Sequence, residues 1–220
     1  MKKRISMLLA LVFVFSVLFI PVQAADTAGV AVSGTISLDD LDSNPDVIVS
    51  DPMTFTEMIA RMAKNADMSY DEVLRMLPDT MQTQAARSNA YRSFTASLHV
   101  TDEFQPYLDF YCATSEGGHF FNINSIYSIQ LVRSYNGISK QFGGEVNAWL
   151  RSSNSIEYYV NGDFFNNGTT TVSGGTGVNA GLNVKCSVTY SVSYSSNHYK
   201  YFYVPVSYTH LRAHETSQDL

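Results

Sequence analysis

Positive charge is the first thing this chain of 220 residues is short of. It has fourteen Lys and Arg against twenty Asp and Glu, a formal net charge of −6. No basic stripe is left to follow a phosphate backbone or an anionic lipid surface, so a nucleic-acid partner is excluded. Tryptophan occurs once, at Trp149, and cysteine twice, at Cys112 and Cys186. Two cysteines exclude a disulfide-dense miniature scaffold and a four-thiolate zinc site. No apolar run follows the first twenty or so residues, so no membrane span is expected after that point. Motifs of catalysis are missing as well. There is no H-E-x-x-H, no C-x-x-C, no G-x-S-x-G elbow, and Gly174-Gly-Thr-Gly177 lacks the G-K-[ST] ending of a phosphate cradle. No catalytic residue, cofactor or metal is assigned.

The two ends read differently from the middle. Lys2, Lys3 and Arg4, the apolar run Met7 to Ile20 and Val22-Gln-Ala24 read as an export signal over residues 1–24. Val206 to Thr216 reads, codon for codon, as a translated transposase-type sequencing adaptor, so residues 205–220 are set aside as an artefact. His210 and His214 are then no metal pair, and the native C-terminus is left unassigned.

Between the ends, the acidic excess falls in residues 25–88. Residues 25–53 show no sustained period and are expected to be an extended, flexible acidic leader. Asp40-x-Asp42-x-Asn44 has calcium-loop spacing, but Pro45 stands where that loop needs glycine. Thr54-x-x-Glu57 and Ser69-x-x-Glu72 are capping boxes, each opening a short apolar-faced helix. Together they predict a helical hairpin over 54–78, closed by Pro78. Residues 79–88 read as a linker containing Arg87.

From Asn89 the period becomes two. Strands are predicted at Tyr91–Val100, Tyr107–Thr114, His119–Tyr135 with a break near Asn124, Ile138–Arg151, Ser155–Phe165, Thr169–Val172, Gly181–Tyr194 and His198–Val204. Short strands with Gly and Asn turns and no helical period between them predict an antiparallel β-sandwich over 89–204. Asn136-Gly137 predicts a type I′ hairpin turn, with a ribbon pairing Tyr135 with Ile138, Leu131 with Phe142 and Tyr127 with Val146. That register sets Arg133 opposite Lys140, an unfavourable like-charge pair. Gly143-Gly144 predicts a bulge.

The body is rich in tyrosine and phenylalanine. Trp149, Tyr158, Tyr199, Tyr201 and Tyr203 are the ligand-binding candidates, with Tyr199, Tyr201 and Tyr203 expected on one strand face. The competing reading is an aromatic ladder that only stabilises the sheet. Cys112 and Cys186 are disulfide candidates, with two buried free thiols as the equal alternative.

Asp109 to Glu116, Gln130 to Gly143 and Val160 to Thr171 carry a resemblance to a group of uncharacterised exported proteins of gut-dwelling Gram-positive bacteria, extending over most of residues 54–204. It implies export to the medium or cell surface and brings no activity or site residues. The preferred expectation is a secreted or surface-displayed, non-catalytic binding module for a glycan or protein. The alternatives are a secreted toxin, bacteriocin or inhibitor made as a precursor, with residues 25–88 as an acidic pro-region, and a secreted enzyme of unrecognised type.

Overall fold

A computed structural model of the chain describes residues 34–79, 90–117, 120–173, 180–193 and 197–204. The fold is mainly β, and every pairing within its sheets is antiparallel. One sheet has the order β2 (Val47–Val49), β3 (Ala90–Ser97), β4 (Tyr107–Gly117), β5 (Phe120–Val132). The other is built on β9 (Ser155–Phe165), then β8 (Gln141–Ser152), β11 (Lys185–Ser193) and β10 (Thr169–Ser173). Two strands share the outer edge of β9. β1 (Thr35–Ser37) pairs with its first half and β12 (His198–Val204) with its second.

β6 (Ser134–Tyr135) and β7 (Ile138–Ser139) form the expected hairpin, with Asn136 and Gly137 at φ +48° and +80°. Tyr135 pairs with Ile138, but the ribbon ends almost at once. Leu131 pairs with Leu108 of β4 and Phe142 with Phe164 of β9, because the two arms enter different sheets. Each arm finds a longer ladder there than it would with its hairpin partner. Arg133 and Lys140 do meet, through the Lys140 N–H to Arg133 C=O bond at 3.2 Å. Their side chains part, Arg133 toward Gln141 and Thr170, Lys140 toward Asn166 and the ring of Tyr199, so the like charges do not confront each other.

Apolar alternation explains how the sheets bury themselves. Phe94, Phe110, Ile129 and Leu131 from the first sheet share one buried cluster with Phe142, Val146, Ile156, Val160, Phe164 and Val188 from the second. Burying each such side chain contributes roughly 1.5–3 kcal/mol relative to leaving it exposed. The other face of the first sheet is covered too. Tyr91, Tyr111, Ala113 and Tyr127 pack with Met58, Ile59, Met62 and Ala63 of α1 (Phe55–Ala66), with Val73 of the α2 segment (Tyr70–Met76) and with Leu77 just after it. Both helices start in the expected capping boxes, at Thr54 with Glu57 and Ser69 with Glu72. A strand covered on both sides reads as a continuous apolar run, and β4 is buried from Leu108 through Thr114.

Several expectations need correction. Residues 35–49 are no loose leader. They supply β1, a 3-10 turn at Leu38–Ser43 and β2, anchored by the fully buried Ile36. All described residues fall in one compact unit, and among them no division separates the helices from the strands. The expected linker lies almost wholly outside the described residues. β5 runs through Asn124 without breaking, and the irregularity survives as a shift in register between Ala113 and Thr114 of its partner. Register is continuous past Gly143 and Gly144. Those glycines serve close approach instead, since a Cβ on Gly144 (φ +157°) would run into the Asn161 carbonyl of β9.

Candidate functional site

The second sheet has an outer face that neither buried cluster covers. Pleating places Ile156, Tyr158, Val160, Gly162 and Phe164 of β9 inward, and Glu157, Tyr159, Asn161 and Asp163 outward. Register then lines outward side chains into rows across the strands. One row runs Tyr203, Asn161, Glu145, Thr189, Ser173, and its neighbour toward β1 runs Tyr159, Asn147, Ser187. Five strands at about 4.8 Å spacing make the first row about 19 Å across. The face is dominated by hydroxyls, amides and phenol rings.

Tyr201 and Tyr203 are the most available aromatics of this face, 52% and 49% exposed. The Tyr201 hydroxyl donates to Asn161 Oδ1 at 2.8 Å, and Tyr203 stands edge-on to Tyr159 with centroids 5.5 Å apart. These contacts fix the rings while leaving a π surface to solvent. Ser187 Oγ donates to Asn147 Oδ1 at 2.6 Å. His198 Nε2 lies 2.8 Å from Asp163 Oδ1. Partial burial pushes the Tyr159 hydroxyl above the usual phenol range, so it stays a neutral donor. At the β1 end, Trp149 is half-buried, with the Arg151 guanidinium 4.9 Å and the Lys185 ammonium 5.8 Å from its ring centroid. Arg151 also pairs with Glu157.

The five candidate residues therefore separate. Trp149, Tyr201 and Tyr203 share the outer face. Tyr158 does not, because it points inward against Phe110, 4% exposed, and burial pushes its hydroxyl up to about 12. Tyr199 also leaves the row. The register of β12 shifts between His198 and Lys200, which turns Tyr199 onto Phe104 and within 3.0 Å of the Thr101 hydroxyl. Tyr159, Asn161 and Asp163 complete the face and were not singled out from the sequence, while Asn147 shares their parity but is buried, 3% exposed. The signal existed: Ile156, Tyr158, Val160 and Phe164 share one parity, so their neighbours had to face out.

Cys112 and Cys186 are both free and buried. Burial raises both thiols, Cys112 well above its ordinary value and Cys186 to about 12, so neither is a ready nucleophile. His119 lies outside the described residues. Among the described residues no group of three or more His, Cys, Asp or Glu could hold a metal ion, and no helix is long and apolar enough to cross a membrane. In the acidic stretch, Asp46 pairs with His99 at 2.8 Å and Asp39 accepts from Asn154 Nδ2 at 2.7 Å. Comparison with protein-family profiles, curated proteins and solved structures gives no match.

Proposed function

We propose that the chain is an exported, non-catalytic binding module that presents the outer face of its second sheet to a glycan. The observation that carries this reading is the pairing of half-exposed Tyr201 and Tyr203 with Asn161 and Ser187 on one face that, among the described residues, neither buried cluster covers. Phenol rings stack on the C–H faces of sugar rings, while amides and hydroxyls meet sugar hydroxyls. In this reading the two sheets are the layers of an antiparallel β-sandwich, and α1 and α2 form a helical hairpin backing the layer away from the ligand. Export rests on the amino-terminal segment, and display at the cell surface or in the medium follows from it.

The precursor reading gains no support from the fold. Residues 35–79 contribute strands to both sheets and cover Tyr91, Tyr111 and Tyr127, and a removable pro-region would not be knitted in this way. A glycan array with the intact chain tests the proposal. Binding is expected, and replacing Tyr201 and Tyr203 together by alanine should weaken it roughly tenfold while leaving the melting curve nearly unchanged. An empty array together with hydrolysis of peptide or ester substrates would reject it.

A further inference from the structure

A second feature lies apart from the aromatic face. A cleft of about 720 Å³ is bounded by the end of α1, α2, the end of β5, the β6–β7 hairpin and β10, a volume typical of small-molecule sites. About half of its wall is apolar, from Met68, Met76 and Val172, with Met62 and Val73 buried behind them. Among these, Met76 and Val172 are 39% and 41% exposed, so the apolar wall reaches solvent. Methionine suits such a wall, being flexible and polarisable.

Arg133 lines the same cleft and is half-buried. Its Nη1 donates to Lys140 O at 3.2 Å, Gln141 Oε1 at 2.7 Å and Thr170 Oγ1 at 3.1 Å. All three acceptors are neutral, and all are taken by one nitrogen. Among the described residues no carboxylate pairs with Arg133, and its Nε and Nη2 edge makes no hydrogen bond. That edge is the one that meets a carboxylate with two parallel bonds. Burial also lowers the pKa of Arg133, as it does for a desolvated charge lacking a counter-ion. The other ionisable groups of the lining are Lys64, Asp67 and Tyr190. Lys64 and Asp67 offset each other in charge, and the Tyr190 hydroxyl accepts from the Leu131 N–H at 2.9 Å. Among the described residues of the lining, Arg133 is thus the one cation without a counter-charge, and it stands beside apolar side chains.

We propose that this cleft binds an amphiphilic monocarboxylate, its head on the Nε/Nη2 edge of Arg133 and its aliphatic body against the methionines. Octanoate is the probe, and octanamide its neutral counterpart. Titration of the intact chain, followed by amide chemical shifts, should show saturable octanoate binding with shifts around Arg133 and Met76. Octanamide should bind at least about tenfold more weakly, as expected for loss of a charged hydrogen-bonded pair. Arg133→Gln should produce a similar loss. Met76→Glu keeps Arg133 and changes only the exposed wall, and it should also weaken octanoate several-fold. No saturable octanoate shift at concentrations up to about 10 mM would overturn the proposal. Equal binding of acid and amide, or undiminished binding by a folded Arg133→Gln variant, would do the same.

Discussion

Asp109 is the residue whose replacement probes most directly how the helical layer is held to the first sheet. Its side chain is fully buried. It accepts from Asn65 Nδ2 at 2.7 Å and the Tyr111 hydroxyl at 3.3 Å, and it bonds Thr95 Oγ1. Arg61 Nε of α1 lies 3.6 Å away, with 39% of its side chain exposed. Asn65 also donates to Tyr111 at 2.9 Å, so one carboxylate organises a polar junction between α1 and two strands. Asp109→Ala removes every acceptor at once and strands several buried donors, at a cost of about 3–5 kcal/mol. Asp109→Asn keeps one acceptor oxygen and lets the hydroxyls rotate, so about 1–2 kcal/mol is expected. Arg61→Ala removes only a solvent-screened partner, worth less than about 1 kcal/mol. Urea unfolding followed by circular dichroism separates these cases. With a slope of about 2 kcal/mol per molar, Asp109→Ala should lower the midpoint by roughly 1.5–2.5 M. An Asp109→Ala chain within about 0.5 kcal/mol of its parent would refute the reasoning, as would an Arg61→Ala loss equal to it.

Acid and alkali offer two further tests. The two-nitrogen grip of Arg92 on Glu116 holds that carboxyl below its usual range. Its contribution is therefore present above the unfolded pKa and is lost as pH falls through the lower folded value. Urea midpoints measured from pH 5.5 downward should fall more steeply for the parent than for Glu116→Gln, and parallel slopes would refute the assignment. Tyr158 and Tyr190 are each pushed up to about 12 by burial, and burial raises Tyr111 too. The folded chain then holds protons that the unfolded chain releases above the ordinary phenol value, so stability should decline as pH rises beyond about 10. Ultraviolet titration should show these three phenols ionising only with unfolding. Full reversible ionisation of every tyrosine in the folded chain near pH 10 would contradict their burial.

The parts of the fold readable in the sequence are those where local rules and tertiary packing agree. Both helix starts were readable because a capping box is a local hydrogen-bond exchange. Ser155–Phe165 and His198–Val204 fall on their observed limits because turn residues bound them. The Asn136-Gly137 turn was readable, but the partner of each arm was not. Pairing depends on which distant strand offers the longer ladder, and the hairpin period is the same either way. β1 and β2 escaped notice because three residues set no period, and their surroundings are acidic and rich in turn formers. At the site, parity on β9 was available and would have chosen Tyr159 over Tyr158. The displacement of Tyr199 was not, since a register shift leaves no local mark when it involves ordinary residues.

β1 and β12 meet head to tail along β9, where a Cβ on Gly34 would come within 2.9 Å of Val204 Cγ1. Residues 170 positions apart in the chain thus sit at one seam, and a peptide bridge of a few residues would close it. The fold should accordingly accept circular permutation, with new ends cut at the Asn136-Gly137 turn. Such a chain would carry the tyrosine face on an uninterrupted edge, and a cargo domain fused at the new ends would hang from the hairpin instead of from the seam.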